Sequence, residues 1–206
     1  MKHKNIYLIR HGDIGLQGRK CYIGTTNLPL SKQGVQQAQQ LGLFFDEIQL
    51  EKVYCSDLDR CQNTAKIILK NKKEEVTRVI EKGLREIHMG RWENKSFDEI
   101  QKLYPEQFKK RGKDLVHFRP PEGESFWDLN LRVMKTFQEI LHNMQGNILI
   151  VAHAGVNRII LCNLLNACLK NLFKIKQDYG CLNEIIVGKN HKLHIKKMNY
   201  VCHGGP

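Results

Sequence analysis

The sequence has no Cys-x-x-Cys pair, no internal repeat, no low-complexity tract and no apolar run long enough to cross a bilayer. Its seven cysteines are odd in number and irregularly spaced, at 21, 55, 61, 162, 168, 181 and 202. That pattern argues against a disulfide framework and, with no paired ligands, against a zinc site; reduced thiols in a cytoplasmic protein are expected. Met1 to Arg10 shows no long apolar stretch before a cleavage-like site, so neither a signal peptide nor a membrane partner is expected. Acidic residues are also scarce, 21 against 33 Lys and Arg, which leaves a formal charge of +12. Such a balance favours anionic partners and serves solubility equally well, so it sets the sign of a partner and nothing more. No motif that reads RNA or DNA stands out, which disfavours nucleic acid.

What is present suits one domain, residues 1–206, with a single sizeable core. Asn5-Ile6-Tyr7-Leu8-Ile9 reads as a strand buried on both faces, as does Ile148-Leu149-Ile150-Val151. Val53-Tyr54-Cys55 is a third strand, with 76–80, 184–187 and 193–195 as further candidates. Helical spacing marks 31–45, a helix ending near Lys70 for which Ser56 is a plausible N-cap, a long amphipathic helix from Phe126 to Met144, and 155–165. Ser96 and Glu99 form a capping-box pattern for a short helix that stops before Pro105. Residues 105–124 read as an irregular excursion around Pro120-Pro121-Glu122-Gly123. Alternating strands and helices imply an α/β fold in three layers, a mainly parallel central sheet flanked by helices. The segment at about 88–124 is expected to form a small cap insertion over one end of the sheet.

His11 and His153 each follow directly on a buried strand. Ligands gather at the carboxyl ends of parallel strands, so two imidazoles distant in sequence can share one crevice. Arg10 precedes His11, and Arg60 lies in the first turn of a helix, where its charge opposes the helix dipole. A bound anion explains both guanidiniums, although a surface ion pair from Arg60 to Asp57 or Asp59 would also do so for Arg60. The chemistry that fits is phosphoryl transfer: His11 as nucleophile, with Arg10, Arg60 and His153 around the transferred oxygens. An acceptor, a backbone carbonyl for example, must fix the other nitrogen of His11, and a carboxylic acid must protonate the leaving oxygen. Glu86 and Glu93 both qualify by position, and the residues alone do not choose between them.

The pattern resembles the histidine phosphatase, or phosphoglycerate mutase-like, superfamily. Arg10-His11-Gly12 looks like its signature, Ser56-Asp57-Leu58-Asp59-Arg60 with Thr64-Ala65 like its second-arginine motif, and Val151-Ala152-His153-Ala154-Gly155 like its second-histidine motif. Leu84 to Gly90 with Trp92-Glu93 resembles the segment carrying its acid, Pro121 to Ser125 the loop before its long helix, and Tyr179 to Asn183 its late strand. These motifs span residues 6–187 in the family's order. The resemblance implies that Glu86 is the proton donor, that Gln17, Gly24 and Ala154 contact substrate, and that no cofactor or metal is needed. Ile23, Gln17, Ala154 and Asn94 depart from the residues usual at those positions, none of them in the phosphate clamp.

Within the family, Tyr22-Ile23-Gly24 through Leu28-Pro29-Leu30-Ser31 and the short cap are similar to the α-ribazole-5′-phosphate phosphatases of cobalamin nucleotide-loop assembly. That implies a small phosphorylated metabolite as partner. A phosphoglycerate mutase, a broad sugar phosphatase and a non-catalytic anion-binding protein are the alternatives; mutases usually carry a longer insertion before Pro121. Oligomeric state is left open, a homodimer among the options. Of the remaining features, His191 with His194 reads as a surface strand rather than a metal pair, Lys170 to Lys174 as an amphipathic helix, and Cys61 as core. His88 and His117 are cap residues within possible reach of substrate, with plain exposure the default.

Overall fold

The computed structural model describes residues 4–189 and 192–202, so His191 lies outside the described residues. The chain folds as β1 (Lys4–Arg10), β2 (Cys21–Tyr22), α1 (Lys32–Phe45), β3 (Lys52–Cys55), α2 (Asp59–Ile68), β4 (Thr77–Ile80), β5 (Lys95–Ser96), α3 (Phe97–Leu103), α4 (Pro105–Lys113), α5 (Phe126–His142), β6 (Ile148–Ala152), α6 (Ala154–Leu164), β7 (Cys181–Val187) and β8 (Leu193–Val201). Six strands form one sheet in the order β4-β3-β6-β1-β7-β8; β4, β3, β6 and β1 are parallel, and β7 pairs antiparallel with both β1 and β8.

Alternation along β1 explains the three layers. Ile6 and Leu8 point to one face with Ile148 and Ile150, under Leu129, Val133 and Phe137 of α5 and Val156, Ile159 and Ile160 of α6. Tyr7 and Ile9 point to the other with Leu149 and Val151, under Leu41 and Phe45 of α1 and Cys61, Ala65 and Ile68 of α2. A central parallel strand covered on both faces has no polar positions, which is why β1 and β6 read as unbroken apolar runs. The expected capping box forms at Ser96–Glu99, a second forms at Ser125–Asp128, and Ser31 caps α1.

Four sequence expectations change. Ser56 does not cap α2: Leu58 holds the N-cap position without a side-chain bond, and the Ser56 hydroxyl turns to His153 instead. The stretch after Pro105 is not irregular throughout, because Pro105 starts α4, a position where its missing N–H costs nothing. The closing strands are longer than 184–187 and 193–195; β8 alternates between half-buried and exposed along its whole length, and Lys and His on its open side mask the apolar period. Leu169–Lys174 is a 3-10 helix, with Leu172 buried and Phe173 exposed. The two-strand ribbon of β2 and β5, with α3 and α4, lies beside the carboxyl end of the sheet, where Tyr22, Phe97 and Arg111 line a cleft.

Candidate active site

Register sets the geometry of the site. In the parallel pairing of β1 with β6, Arg10 lies opposite Ala152, so the next residue of each strand is a histidine and the two leave the sheet side by side. The His11 N–H donates to the Ala152 carbonyl at 3.0 Å, and the two imidazole centroids are 5.1 Å apart. β3 ends level with them, the Ser56 N–H donating to Val151, which places Ser56 beneath His153. His11 lines a solvent-open cleft of about 200 Å³, and His153 and Ser56 are buried behind it.

Each ring is oriented. His11 Nδ1 is 2.7 Å from the Gly12 carbonyl, so its proton lies on Nδ1 and the Nε2 lone pair is free. Burial, then the charges of Arg10 and Arg60, hold His11 well below the usual histidine range, the Gly12 bond opposing weakly. His153 accepts from Arg60 Nε at Nδ1 (3.3 Å) and donates from Nε2 to Ser56 Oγ (2.9 Å). It too is held well below the usual range, by burial first and then by Arg60, His11 and Arg10. Cys61, expected as core, is fully buried and also lies under this ring, its Sγ 3.4 Å from Nε2.

The guanidiniums are fixed by carbonyls rather than carboxylates. Arg60 donates to Thr26 O (2.7 Å) and Gly24 O (2.9 Å), and Asp57 is taken by Arg85 instead, so the ion pair entertained for Arg60 does not form. Arg10 donates to Gln177 O (2.7 Å) and lies 3.5 Å over the Tyr179 ring, its Nε buried with no hydrogen-bond partner among the described residues. The other donors of both forks remain for an anion.

The structure separates the two carboxylates. Glu93 accepts from Thr25 N, Thr25 Oγ1, Thr26 Oγ1 and Met89 N. Burial works to raise it, but those bonds together hold it below its usual value, and it anchors the loop that carries Gly24. Glu86 lines the cleft, accepting from Ile87 N (2.9 Å) and from Gly155 N (3.0 Å) in the first turn of α6. A Cβ on Gly155 would stand 2.3 Å from Glu86 Oε1, so this glycine makes the room the carboxylate occupies.

Of the residues expected to contact substrate, Gly24 and Ala154 line the cleft and Gln17 does not. Gln17 is exposed at φ 50°, and Ile14 and Leu16 face the cleft from that loop. Gly24, at φ +53°, could not carry a Cβ, which would fall 2.4 Å from Glu93 Oε1. His88 and His117 are exposed and lie outside this cleft. Sequence reasoning missed Arg111, Arg158 and the aromatic wall of Phe97, Phe126 and Phe173. Arg111 lies 5.4 Å from the Tyr22 ring centroid, and Arg158 donates to Ile175 O (2.9 Å) and lies 5.3 Å from that of Phe173. Recognising Pro105 as a helix start would have set Phe108 and Arg111 on one helical face. Among the described residues no group of three or more His, Cys, Asp and Glu is placed to hold a metal ion, and no helix is long and apolar enough to cross a membrane.

Residues 6–201 match the histidine phosphatase superfamily (branch 1). The chain belongs to that superfamily. It is 28% identical over 187 residues to the adenosylcobalamin/alpha-ribazole phosphatase of Escherichia coli, covering 89% of this chain and 90% of that protein. It superposes on the alpha-ribazole phosphatase of Shigella flexneri with a TM-score of 0.86 at 27% identity, covering 98% and 99% of the two chains. It is also 36% identical over 165 residues to the 6-phosphofructo-2-kinase/fructose-2,6-bisphosphatase of Gallus gallus, covering 78% of this chain but 33% of that longer protein.

The two buried histidines of this phosphatase also set its acid stability. In the unfolded chain they take protons as pH falls through about 6.5, whereas the folded rings stay neutral to well below that value. Stability is therefore complete above about pH 6.5 and falls as pH drops, by up to about 1.4 kcal/mol per pH unit for each ring. Denaturant titrations between pH 7.5 and 5 should show this loss, and a His11→Asn/His153→Asn variant should flatten it. An equal slope in that variant contradicts the assignment.

Proposed function

We propose that the chain is a phosphomonoesterase that works through a phosphohistidine on His11, with α-ribazole 5′-phosphate as its substrate. The observation that carries the reading is the free Nε2 of a neutral His11, in a cleft it shares with Arg10 and Arg60 and with the His153 ring 5.1 Å away. In the first step Nε2 attacks phosphorus, the bond to the leaving oxygen breaks, and Glu86 gives that oxygen a proton. In the second, Glu86 takes a proton from water, the water oxygen bonds to phosphorus, and the P–N bond breaks to restore neutral His11. The arginines stabilise charge on the transferred oxygens in both steps.

Several observations support this substrate. Two of the three relatives described above are named for it, and the wall of Phe97, Phe126 and Phe173 offers flat apolar surface to an aromatic base. Residues 88–124 serve as the cap that encloses the leaving group. The seven cysteines are all free, which fits a reducing, cytoplasmic setting.

A second reading, a doubly anionic sugar phosphate, has one observation in its favour. Arg111 and Arg158 line the cleft beyond the clamp, and neither forms an ion pair among the described residues. A rate panel separates the two. α-Ribazole 5′-phosphate should exceed fructose 2,6-bisphosphate, 3-phosphoglycerate and an aryl phosphate in kcat/KM by about 30-fold, roughly 2 kcal/mol of transition-state binding. A bisphosphate preference that Arg111→Ala abolishes would replace the first reading by the second.

A further inference from the structure

Glu86 sits on a segment with little regular structure: a 3-10 turn at Lys82–Leu84 leads into extended backbone, and another begins only at Gly90. Its main chain is gripped from α5. Arg132 donates from Nη1 to the carbonyls of Gly83 and Arg85, both at 2.9 Å, and from Nη2 to that of Glu86 at 3.4 Å. Its remaining donors go to one carboxylate, Nε to Glu124 Oε1 (3.0 Å) and Nη2 to Glu124 Oε2 (2.8 Å). All five N–H groups of the guanidinium are thus engaged, three of them on the residues that lead into and include Glu86. Glu124 completes the grip from the loop before α5: Oε2 accepts from His88 N (2.9 Å), and its own N–H donates to His88 O (2.7 Å). The pair is three-quarters buried, with side-chain exposures of 27% and 25%.

We infer that Arg132 and Glu124 are positioning residues for the catalytic acid: they hold the backbone of residues 83–88 so that the Glu86 carboxylate reaches the leaving oxygen. The fork matters more than the charge. A planar guanidinium spans three carbonyls and a carboxylate at once, which an ammonium on a flexible stem cannot do. Within hydrogen-bond range, a displacement of about 1 Å costs on the order of a hundredfold in rate. This inference rests on the reading of Glu86 as the acid.

The test uses leaving groups of different basicity. An alkyl phosphate needs a proton delivered as its P–O bond breaks, whereas a nitrophenyl phosphate departs without one. Single-turnover phosphorylation of His11 should therefore fall at least tenfold with the alkyl ester in Arg132→Lys, Arg132→Met and Glu124→Gln, and less than threefold with the nitrophenyl ester. Glu86→Gln should show the same selectivity more strongly. Thermal melts of each variant report folding separately, and Glu124→Gln, which keeps its shape, serves where an Arg132 variant does not fold. Equal losses on both esters, or no loss, in folded Arg132 and Glu124 variants overturns the inference if Glu86→Gln remains selective. An unselective Glu86→Gln overturns the acid assignment itself.

Discussion

With alanine at position 11, phosphate release from every monoester should fall by at least about 10³-fold, roughly 4 kcal/mol of transition-state stabilisation. The loss is that large because nothing nearby replaces the nucleophile. His153, 5.1 Å away by ring centroid, has Nδ1 engaged by Arg60 and Nε2 by Ser56. Glu86 is bonded to the N–H of Ile87 and to that of Gly155 in the first turn of α6. The clamp should survive, because Arg10 and Arg60 are held by the carbonyls of Gln177, Thr26 and Gly24 and not by the imidazole of His11. Inorganic phosphate should thus still bind the variant while turnover disappears. Rapid quench of the wild-type enzyme should trap an acid-labile phosphoenzyme, absent from the variant. A His11→Ala protein that retains full rate removes the mechanism.

Arg60 should be nearly as costly, and costly in two ways. It is 1% exposed, and its donors satisfy two backbone carbonyls and His153. Arg60→Met strands those acceptors in the interior, each worth about 1–3 kcal/mol when unsatisfied. It also removes a transition-state donor, which elsewhere costs about 10²–10³ in kcat. Arg60→Lys keeps the charge and loses the fork, so it should recover less than a tenth of the lost rate. Steady-state kinetics beside denaturant melts separate the two losses; a near-wild-type kcat/KM in Arg60→Lys would mean that charge alone suffices.

The reach of the sequence follows from what sets each feature. β1 and β6 were legible because strands buried on both faces must be apolar throughout, and His11 and His153 follow directly on such runs. α5 was legible by its apolar period, and α3 by its capping box. α4 was not, since Pro105 signals both a stop and a start and only its neighbours decide which. β8 was not, because an edge strand with Lys on its open side has no clean alternation of apolar residues. Ser56 looked like a cap because the helix-start preference of serine is local, whereas its partner, His153, lies 97 positions away.

By itself, then, the sequence determined the sheet's central strands, the two histidines at their ends, and the presence of arginines that a helix start or strand end would otherwise disfavour. These follow from local rules: burial period, cap chemistry and the sign of charge. Only the tertiary structure set the two candidate carboxylates apart: Glu93 is tied to Thr25 and Thr26, whereas Glu86 lines the cleft beside Gly155 of α6. It alone moved Gln17 out of the cleft and brought Arg111 and Arg158 in. Those outcomes depend on which donors meet which acceptors across long stretches of chain, and chain-distant hydrogen bonds and packing leave no periodic trace in the residues that make them.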